Sequence, residues 1–523
     1  MVYGEFRTLV KVKFPQASCC GWSSPKKLLC TLTANPYPGR LACASRTIGI
    51  MRDKPLLETP TWRNETRATV LLAGPLALAN LLQMATYIVD VIFIASLGEE
   101  PLAASGLAVS IFGLILWAMT ALTGAVAPLI AEAIGAPTSS LRPVRRATRM
   151  ALWLAVIFGV IGMGLALLLD PIMRLTGQSA AITTLANQYN LVIIFSMVPM
   201  LLSSVLRNYV SALGRPLFAT AITALGIPVN AIGNYAFIFG ELGAPELGLP
   251  GAAVATIITA LVTLSAYLSA VLLSPRLNRF HIFNRFWRPD WARLKQIVRV
   301  GTPIALTVSA EAGVFSAAAF LMGRIGASEL AGHVVALQIA ALAFQIPFGI
   351  GQAVTIRVGY FYGASDRVGM TRAGGVALAI GIAFTTITAL AMILIPELLL
   401  RIYIDPTAPE NAALVGFALQ FLLLAAAFQL ADGIQAVAAG ALRGLQDTQV
   451  PMWIAIFSYW VPGFGLALGL GLFTPLEGIG VWIGLAAGLA CAAALLLHRW
   501  MAREQLGLTD RAQQSAQAIK ISH

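Results

Sequence analysis

The sequence predicts an all-α integral membrane protein in which twelve transmembrane helices form two pseudo-symmetric six-helix bundles. Its composition, its series of apolar runs and an internal repeat support this fold class. Of the 523 residues, 58% are hydrophobic and only 11% are charged, whereas soluble proteins carry about 25% charged residues. So few charges cannot give soluble domains a polar surface, which excludes a soluble enzyme and a nucleic-acid-binding module. The chain has a net charge of +12. In a membrane protein, such an excess of positive charge usually lies in the cytoplasmic loops.

Apolar runs follow one another from Ala68 onward, and each is long enough to cross a bilayer, for which about 20 residues suffice. Short polar breaks separate the runs, which predicts helices joined by loops on alternating sides of the membrane. The predicted spans are 68–96, 102–133, 147–169, 182–206, 217–240, 247–273, 295–323, 330–356, 373–397, 411–441, 450–473 and 478–499.

The distribution of Lys and Arg among the loops predicts the orientation. The loops on one side hold seventeen Lys or Arg, whereas the opposite loops hold only Arg174, Arg324 and Arg401. The basic loops are 135–149, 207–216, 274–299, 357–372 and 442–449. Because basic loops face the cytoplasm, we expect both termini to lie there.

The chain also repeats itself. A shift of 228 residues aligns Pro75 with Pro303 and Gly98 with Gly326 without a gap. Because six is an even number, two halves of six spans have the same orientation, and solute sites commonly lie between or within such halves. The predicted division is an N-terminal six-helix lobe at 51–273, a cytoplasmic linker at 274–294, a C-terminal six-helix lobe at 295–503 and a cytoplasmic tail at 504–523.

Residues 1–50 differ from the rest of the chain. They are basic, are interrupted by Pro and Gly, and lack the continuous apolar core of a secretory signal peptide. They hold four of the five cysteines, none of them spaced with His as a metal site requires. We therefore expect no metal site, and we interpret residues 1–50 as a disordered tail or as an artefact of a start site upstream of Met51.

Three carboxylates lie deep inside the predicted spans: Asp90 in the first, Glu311 in the seventh and Asp432 in the tenth. An Asp at the centre of a span costs roughly 2.5–3.5 kcal/mol to insert, so each carboxylate needs a partner or a role. We interpret all three as ion-coupling or cation-binding residues. A structural hydrogen bond between helices is the alternative.

Two amides and one imidazole are further polar candidates. Asn230 and Asn234 in the fifth span are four residues apart, which places both on one face of a helix. There they can bind an ion, accept a substrate amine or bond to a neighbouring helix. His333 lies near the start of the eighth span, and we interpret it as structural rather than as a proton carrier.

Pro75 and Pro303 lie inside the first and seventh spans. A proline inside a helix removes one backbone hydrogen bond, so we predict a kink at each of these positions.

Seven stretches carry a family resemblance. They are Val89–Gly98, Gly243–Gly248, Gly251–Thr256, Ala331–Gln338, Ile356–Gly359, Ala431–Gln435 and Gly440–Thr448. In their order and spacing they resemble the multidrug and toxic compound extrusion (MATE) transporters, in the NorM-like bacterial branch. The resemblance runs from about Arg63 to Arg503 and does not cover residues 1–50.

The resemblance implies an antiporter that exports organic cations in exchange for an inward flow of H⁺ or Na⁺. Glu311 and Asp432 match the family carboxylates of the C-terminal half, and Asp90 matches the N-terminal aspartate. Asn230 and Asn234 match the polar pair of the fifth helix.

The chain departs from some relatives at two of these positions. The second residue of the fifth-helix pair is an acid in some of them, whereas it is Asn234 here, which leaves one titratable group fewer in the N-terminal half. An aromatic residue one turn before Asp432 is matched by Phe428, which has no hydroxyl.

From the resemblance we expect a monomer in the bacterial inner membrane, with organic cation drugs as substrates and no cofactor besides the coupling ion. The lipid bilayer is the expected partner, and nucleic acid is not. A flippase of lipid-linked precursors, or another metabolite exporter of the same superfamily, is the nearer alternative. A membrane-embedded enzyme is disfavoured, because the sequence has four His and no HExxH, GxSxG or P-loop motif.

Overall fold

A computed structural model describes residues 61–137, 141–175 and 177–510 of the chain. Within these residues, twelve helices are long and apolar enough to cross a membrane, and no strand is present. They are α1 (Trp62–Ala95), α2 (Glu99–Gly135), α3 (Leu141–Leu175), α4 (Ala180–Ala212), α5 (Pro216–Phe239), α6 (Leu249–Leu273), α7 (Trp291–Ile325), α8 (Ala327–Gly363), α9 (Arg367–Leu394), α10 (Ala412–Gly444), α11 (Gln449–Phe473) and α12 (Glu477–Met501).

The predicted all-α membrane fold is therefore confirmed, and most helices extend beyond the predicted spans. The largest extension is at the end of α8, which continues to Gly363 although its apolar run ends near residue 356. A helix of 37 residues is about 55 Å long, whereas the hydrocarbon core is about 30 Å thick. Hydropathy detects only the part in contact with lipid, so the polar continuation at a helix end is missed.

Helix α7 begins within the predicted linker, at residue 291, whereas the linker was predicted to run to residue 294. Helix α7 begins at Trp291, because the Asp290 side chain accepts a hydrogen bond from the Arg293 backbone N–H at 3.2 Å and caps the helix. The predicted tail at 1–50, the start at Met51 and residues 511–523 of the C-terminal tail lie outside the described residues.

Helices α1 and α7 continue as α-helices through Pro75 and Pro303. The Pro75 carbonyl accepts a hydrogen bond from the Thr220 hydroxyl of α5 at 2.6 Å, which ties α1 to its neighbour at this level. The predicted kinks stay a prediction. Helix α11 instead changes locally to a π-helix at Tyr459–Phe464, around Pro462.

Each lobe has its own apolar core, and a third cluster crosses between the lobes. In that third cluster Leu72 and Leu76 of α1 pack with Ile350 and Val354 of α8. The backbones also come close, since a Cβ added to Gly349 of α8 would lie 2.7 Å from the nitrogen of Ala77. The lobes therefore meet with no room for a side chain at this point.

Two polar contacts join the lobes at the end of the bundle that holds the N-termini of α1 and α7. The Glu65 carboxylate of α1 accepts two hydrogen bonds from the Arg357 guanidinium of α8, one of them from Nε at 2.8 Å. Both side chains are almost fully buried, at 1% and 4% exposure. Nearby, Gln446 Nε2 donates to Glu132 Oε2 of α2 at 2.6 Å. We call this region, with Glu65, Arg357, Glu132 and Gln446, the closed end.

Candidate functional site

The N-terminal lobe gathers three of the predicted site residues around one carboxylate. Asp90 Oδ1 accepts a hydrogen bond from Asn230 Nδ2 at 2.8 Å and another from Asn234 Nδ2 at 2.7 Å. The spacing of four residues places both amides on one face of α5, and both side chains are buried, at 1% and 0% exposure. The two amides therefore supply hydrogen-bond donors to the Asp90 carboxylate inside the lobe.

Three more residues surround this N-terminal cluster, and the sequence had not singled them out. Thr256 of α6 interacts with the Asp90 carboxylate, and Tyr87 and Tyr189 lie within electrostatic range of it. Asn234 Oδ1 is buried and has no hydrogen-bond partner among the described residues. The cluster therefore offers one carboxylate and a free amide oxygen, which are ligands for a proton donor or a small hard cation.

The C-terminal lobe brings the other two predicted carboxylates into one cluster. Glu311 of α7 and Asp432 of α10 interact electrostatically with each other, and Tyr459 of α11 interacts with both. Asp432 is 5% exposed, and its Oδ1 has no partner among the described residues. Gln435 Nε2, one turn further along α10, donates a hydrogen bond to the Tyr459 hydroxyl.

Arg443 also belongs to this cluster, although its place in the sequence predicted a loop residue. The loop count had placed Arg443 among the basic residues of the loop 442–449, whereas α10 continues to Gly444. Arg443 lies in the last turn of that helix and interacts electrostatically with Glu311 and Tyr459. The site thus contains a cation of its own beside the two acids.

Several buried polar groups near the C-terminal cluster have no partner among the described residues. They include both side-chain atoms of Gln429 and both ring nitrogens of His333, two residues with 0% exposure. Leaving such a group unpaired costs about 1–3 kcal/mol, and unpaired buried groups mark sites for water, ions or ligands. His333 packs edge to face against Trp482, with ring centroids 5.5 Å apart, and its predicted structural role stays a prediction.

Aromatic rings line the same region. The Phe428 ring lies 5.9 Å from that of Phe315 and 5.8 Å from that of Trp482. A small cavity beside Tyr459 is bordered by Phe315, Leu485 and further apolar side chains. The hydroxyl that Phe428 lacks is present here on Tyr459 of α11, so the cluster contains a phenol from another helix.

The internal repeat places a matching arginine in the N-terminal lobe, with an amide in place of the Glu311 carboxylate. The shift of 228 residues aligns Glu311 with Gln83, and Arg443 aligns with Arg207 at a shift of 236. Arg207 Nη1 donates a hydrogen bond to Gln83 Oε1 at 3.3 Å. The two lobes therefore share an arginine near the same helix position, opposite an amide in one lobe and a carboxylate in the other.

No group of three or more His, Cys, Asp or Glu side chains that could hold a metal ion occurs in the residues that the structure describes. The two clusters consist of carboxylates, amides and phenols on long helices, and the C-terminal cluster also contains the Arg443 guanidinium. Carboxylates, amides and phenols are groups that can bind a proton or a cation reversibly.

Comparison with known proteins agrees with this architecture. The MatE family model matches the chain twice, at residues 75–236 and 303–468. The two matches begin 228 residues apart, at Pro75 and Pro303, which is the predicted repeat. The chain is 40% identical over 450 residues to a probable multidrug resistance protein NorM of Mesorhizobium japonicum, covering 85% of this chain and 95% of the relative. It is 37% identical over 434 residues to the multidrug resistance protein NorM of Burkholderia vietnamiensis, covering 83% and 93%.

Solved structures share the fold at lower sequence identity. A MOP superfamily transporter from Pyrococcus furiosus has a TM-score of 0.76 and 23% identity, over 85% of this chain and 97% of that one. The eukaryotic MATE transporter AtDTX14 has a TM-score of 0.75 and 18% identity, over 87% and 99%. These likenesses show the twelve-helix, two-lobe architecture.

Proposed function

The chain belongs to the MatE family of membrane transporters, and from this premise we propose that it is a cation-coupled multidrug efflux antiporter. It would export organic cations in exchange for H⁺ or Na⁺. The names of its NorM relatives as multidrug resistance proteins support the substrate class. The observation that carries the proposal is the pairing of Glu311 with Asp432 among buried polar groups that have no partner in the described residues.

Competition for these acids is sufficient to couple two opposite fluxes. An ionised carboxylate in a low-dielectric interior attracts an organic cation strongly. The same carboxylate releases the cation once it is protonated or has bound Na⁺. The rings of Phe315, Phe428 and Trp482 supply apolar and cation–π contacts for a flat cationic substrate.

The closed end supplies a barrier on one side of the membrane. In the orientation predicted by the basic loops, this end faces the cytoplasm. Exchange then requires that the contacts between Glu65 and Arg357 and between Gln446 and Glu132 break and re-form in each cycle. Interfaces that switch between two packed arrangements are the usual basis of such transitions.

The function is tested by ethidium transport in inverted membrane vesicles that contain the purified protein or no protein. Because the cytoplasmic face of an inverted vesicle is outside, export appears as accumulation of ethidium inside the vesicles. This accumulation is expected when a pH gradient or a Na⁺ gradient is imposed. The gradient that drives it identifies the coupling ion. Absence of ethidium transport under both gradients would contradict the multidrug antiporter proposal.

Arg443 favours one second candidate. A partly buried arginine beside the site attracts anionic groups, as a flippase of lipid-linked precursors or another metabolite exporter of the superfamily would require. This candidate predicts that the same vesicles move a phosphate-bearing lipid precursor and leave ethidium untouched.

We also propose that the protein is a multi-pass protein of the bacterial inner membrane with both termini in the cytoplasm. Reporter fusions after residues 145 and 285 are expected to read as cytoplasmic, and fusions near residues 245 and 407 as periplasmic. The excess of seventeen basic residues over three on the predicted cytoplasmic side is the reason. A periplasmic reading at residue 285 would overturn the six-plus-six arrangement.

A further inference from the structure

A cavity of about 380 Å³ lies where the inter-lobe linker meets the start of α3. Its walls are strongly positive, because four of the five side chains that line the cavity are arginines. The lining residues are Arg142, Arg145, Arg146, Asn284 and Arg285. Neither cluster of the transport site includes any of these residues.

The linker wall of the cavity is fixed to α3 by two hydrogen bonds. Arg149 Nη1 donates to the Arg285 carbonyl at 2.7 Å, and Trp153 Nε1 donates to the Phe286 carbonyl at 3.2 Å. Arg285 itself has a φ of +55°, a left-handed conformation that costs energy for a residue other than glycine. The surrounding contacts therefore hold Arg285 in a strained conformation at the cavity wall.

The charges at the cavity are poorly compensated. Among the described residues, Asp290 is the acidic side chain that forms an ion pair with this group, and it lies 3.5 Å from Arg146. Below the cavity, Arg149 is 6% exposed, and its Nε has no hydrogen-bond partner among the described residues. Arg149 also interacts electrostatically with Arg145 and Arg146 of the cavity wall. Like charges this close repel one another, so an anion that binds among them lowers the free energy.

The side chains that line the cavity suit a phosphate group. Guanidinium groups present paired N–H donors that match the oxygens of a phosphate group. The side-chain amide of Asn284 adds a neutral donor at the same cavity. The positive end of the α3 helix dipole lies on the same side, because α3 begins at Leu141, one residue before Arg142.

The location indicates that the phosphate belongs to a lipid. Trp287 and Trp291, directly after the linker wall, are 83% and 67% exposed. Exposed indoles concentrate at the boundary between lipid and water, and the start of α3 is on the predicted cytoplasmic side. Basic pockets at that boundary recognise the head groups of anionic lipids.

We propose that this cavity binds the phosphate head group of an anionic phospholipid in the cytoplasmic leaflet. The bound head group bridges the start of α3 in one lobe to the linker that leads into the other lobe. This inference is independent of the transported substrate and of the coupling ion.

The test uses the full-length protein in nanodiscs of phosphatidylcholine, with or without one-fifth cardiolipin. A triple variant with Arg142→Gln, Arg145→Gln and Arg146→Gln removes most of the cavity charge. The matched control, Arg276→Gln, Lys295→Gln and Arg299→Gln, removes three exposed basic residues from the same side outside the cavity. Retained lipid is measured by native mass spectrometry, and stability by the melting temperature.

Each basic residue near the membrane surface contributes about fivefold to the affinity for an anionic lipid. The cavity variant lacks three of them, so it is expected to bind cardiolipin roughly a hundredfold more weakly. It should also lose the rise in melting temperature that cardiolipin gives to the wild type, whereas the control triple variant keeps both. Equal losses in the two triple variants would show diffuse surface attraction and overturn the proposal. A separate arm adds inorganic phosphate to protein in phosphatidylcholine alone. If phosphate reproduces the full shift, the lipid assignment is wrong and the cavity is a site for free phosphate.

Discussion

Glu311→Gln and Asp432→Asn are each expected to abolish gradient-driven ethidium transport while the protein stays in the membrane at near-normal levels. The amide isosteres keep the shape of the side chains but remove their charge and their titration. Because the two acids share one cluster with Tyr459, loss of either one leaves a site that can no longer exchange a proton or Na⁺ for a cation. We expect a fall of roughly tenfold or more in the initial rate, normalised to membrane protein.

Two further variants serve as a comparison and as a control for this experiment. Asp90→Asn should reduce transport less, because Asn230 and Asn234 keep a neutral polar site around the substituted amide. Glu100→Gln, at an exposed carboxylate in the first turn of α2, should behave like the wild type. If Glu311→Gln and Asp432→Asn both transported ethidium at the wild-type rate, the ion-coupling assignment would be wrong and only the fold would stand.

Glu65→Gln is expected to weaken the closed end strongly. The substitution removes the carboxylate that pairs with the Arg357 guanidinium, in a position that is only 4% exposed, and breaking a buried ion pair costs about 3–5 kcal/mol. The two lobes should then separate more often at this end. The measurement is maleimide labelling of a cysteine placed at Ala353, a fully buried residue of the inter-lobe cluster, in a background where the five native cysteines are Ser. Labelling from the cytoplasmic side should be faster by tenfold or more, as the free-energy cost implies.

The chain offers both a rescue and a control for this prediction. The exchanged pair, Glu65→Arg with Arg357→Glu, restores opposite charges and should restore slow labelling. Asp510→Ala breaks the ion pair with Arg367, whose side chains are 56% and 36% exposed, and exposed pairs contribute only about 0–1 kcal/mol. Labelling that is unchanged in Glu65→Gln, or equally fast in Asp510→Ala, would show that the buried pair does not hold this end closed.

The number of helices and the two-lobe division follow from the sequence because lipid imposes a simple rule on it. Every span must be apolar and long enough, so hydropathy finds it, and the repeat appears because Pro75 and Pro303 occupy the same place in each half. Asp90 and the Asn230–Asn234 pair also follow, since buried charge is rare enough to stand out and a spacing of four fixes the face.

Residues outside the apolar runs were the ones that sequence reasoning misjudged. Glu65 precedes the first predicted span, and Arg357 and Arg443 were counted as loop charges, whereas all three lie inside helices. A hydropathy profile ends a helix where lipid contact ends, although the helix itself continues. Whether a charge there faces water or a buried partner depends on how two distant helices pack, which local sequence does not contain. Tyr459 and Gln435 were missed for a related reason, because a single polar atom in an apolar window has little statistical weight.

Gln83 in the N-terminal half occupies the position that Glu311 occupies in the C-terminal half, so the chain already contains the residue that Glu311→Gln would introduce. If the two lobes descend from one duplicated ancestor, positions 83 and 311 were once the same residue and have since diverged. In the N-terminal half, Gln83 accepts a hydrogen bond from Arg207. The helix bundle can therefore hold a glutamine next to an arginine at this position. Glu311→Gln therefore recreates in the second copy what the first copy already has. What separates the two halves at this position is therefore one charge, which the C-terminal half has at Glu311 and the N-terminal half lacks at Gln83.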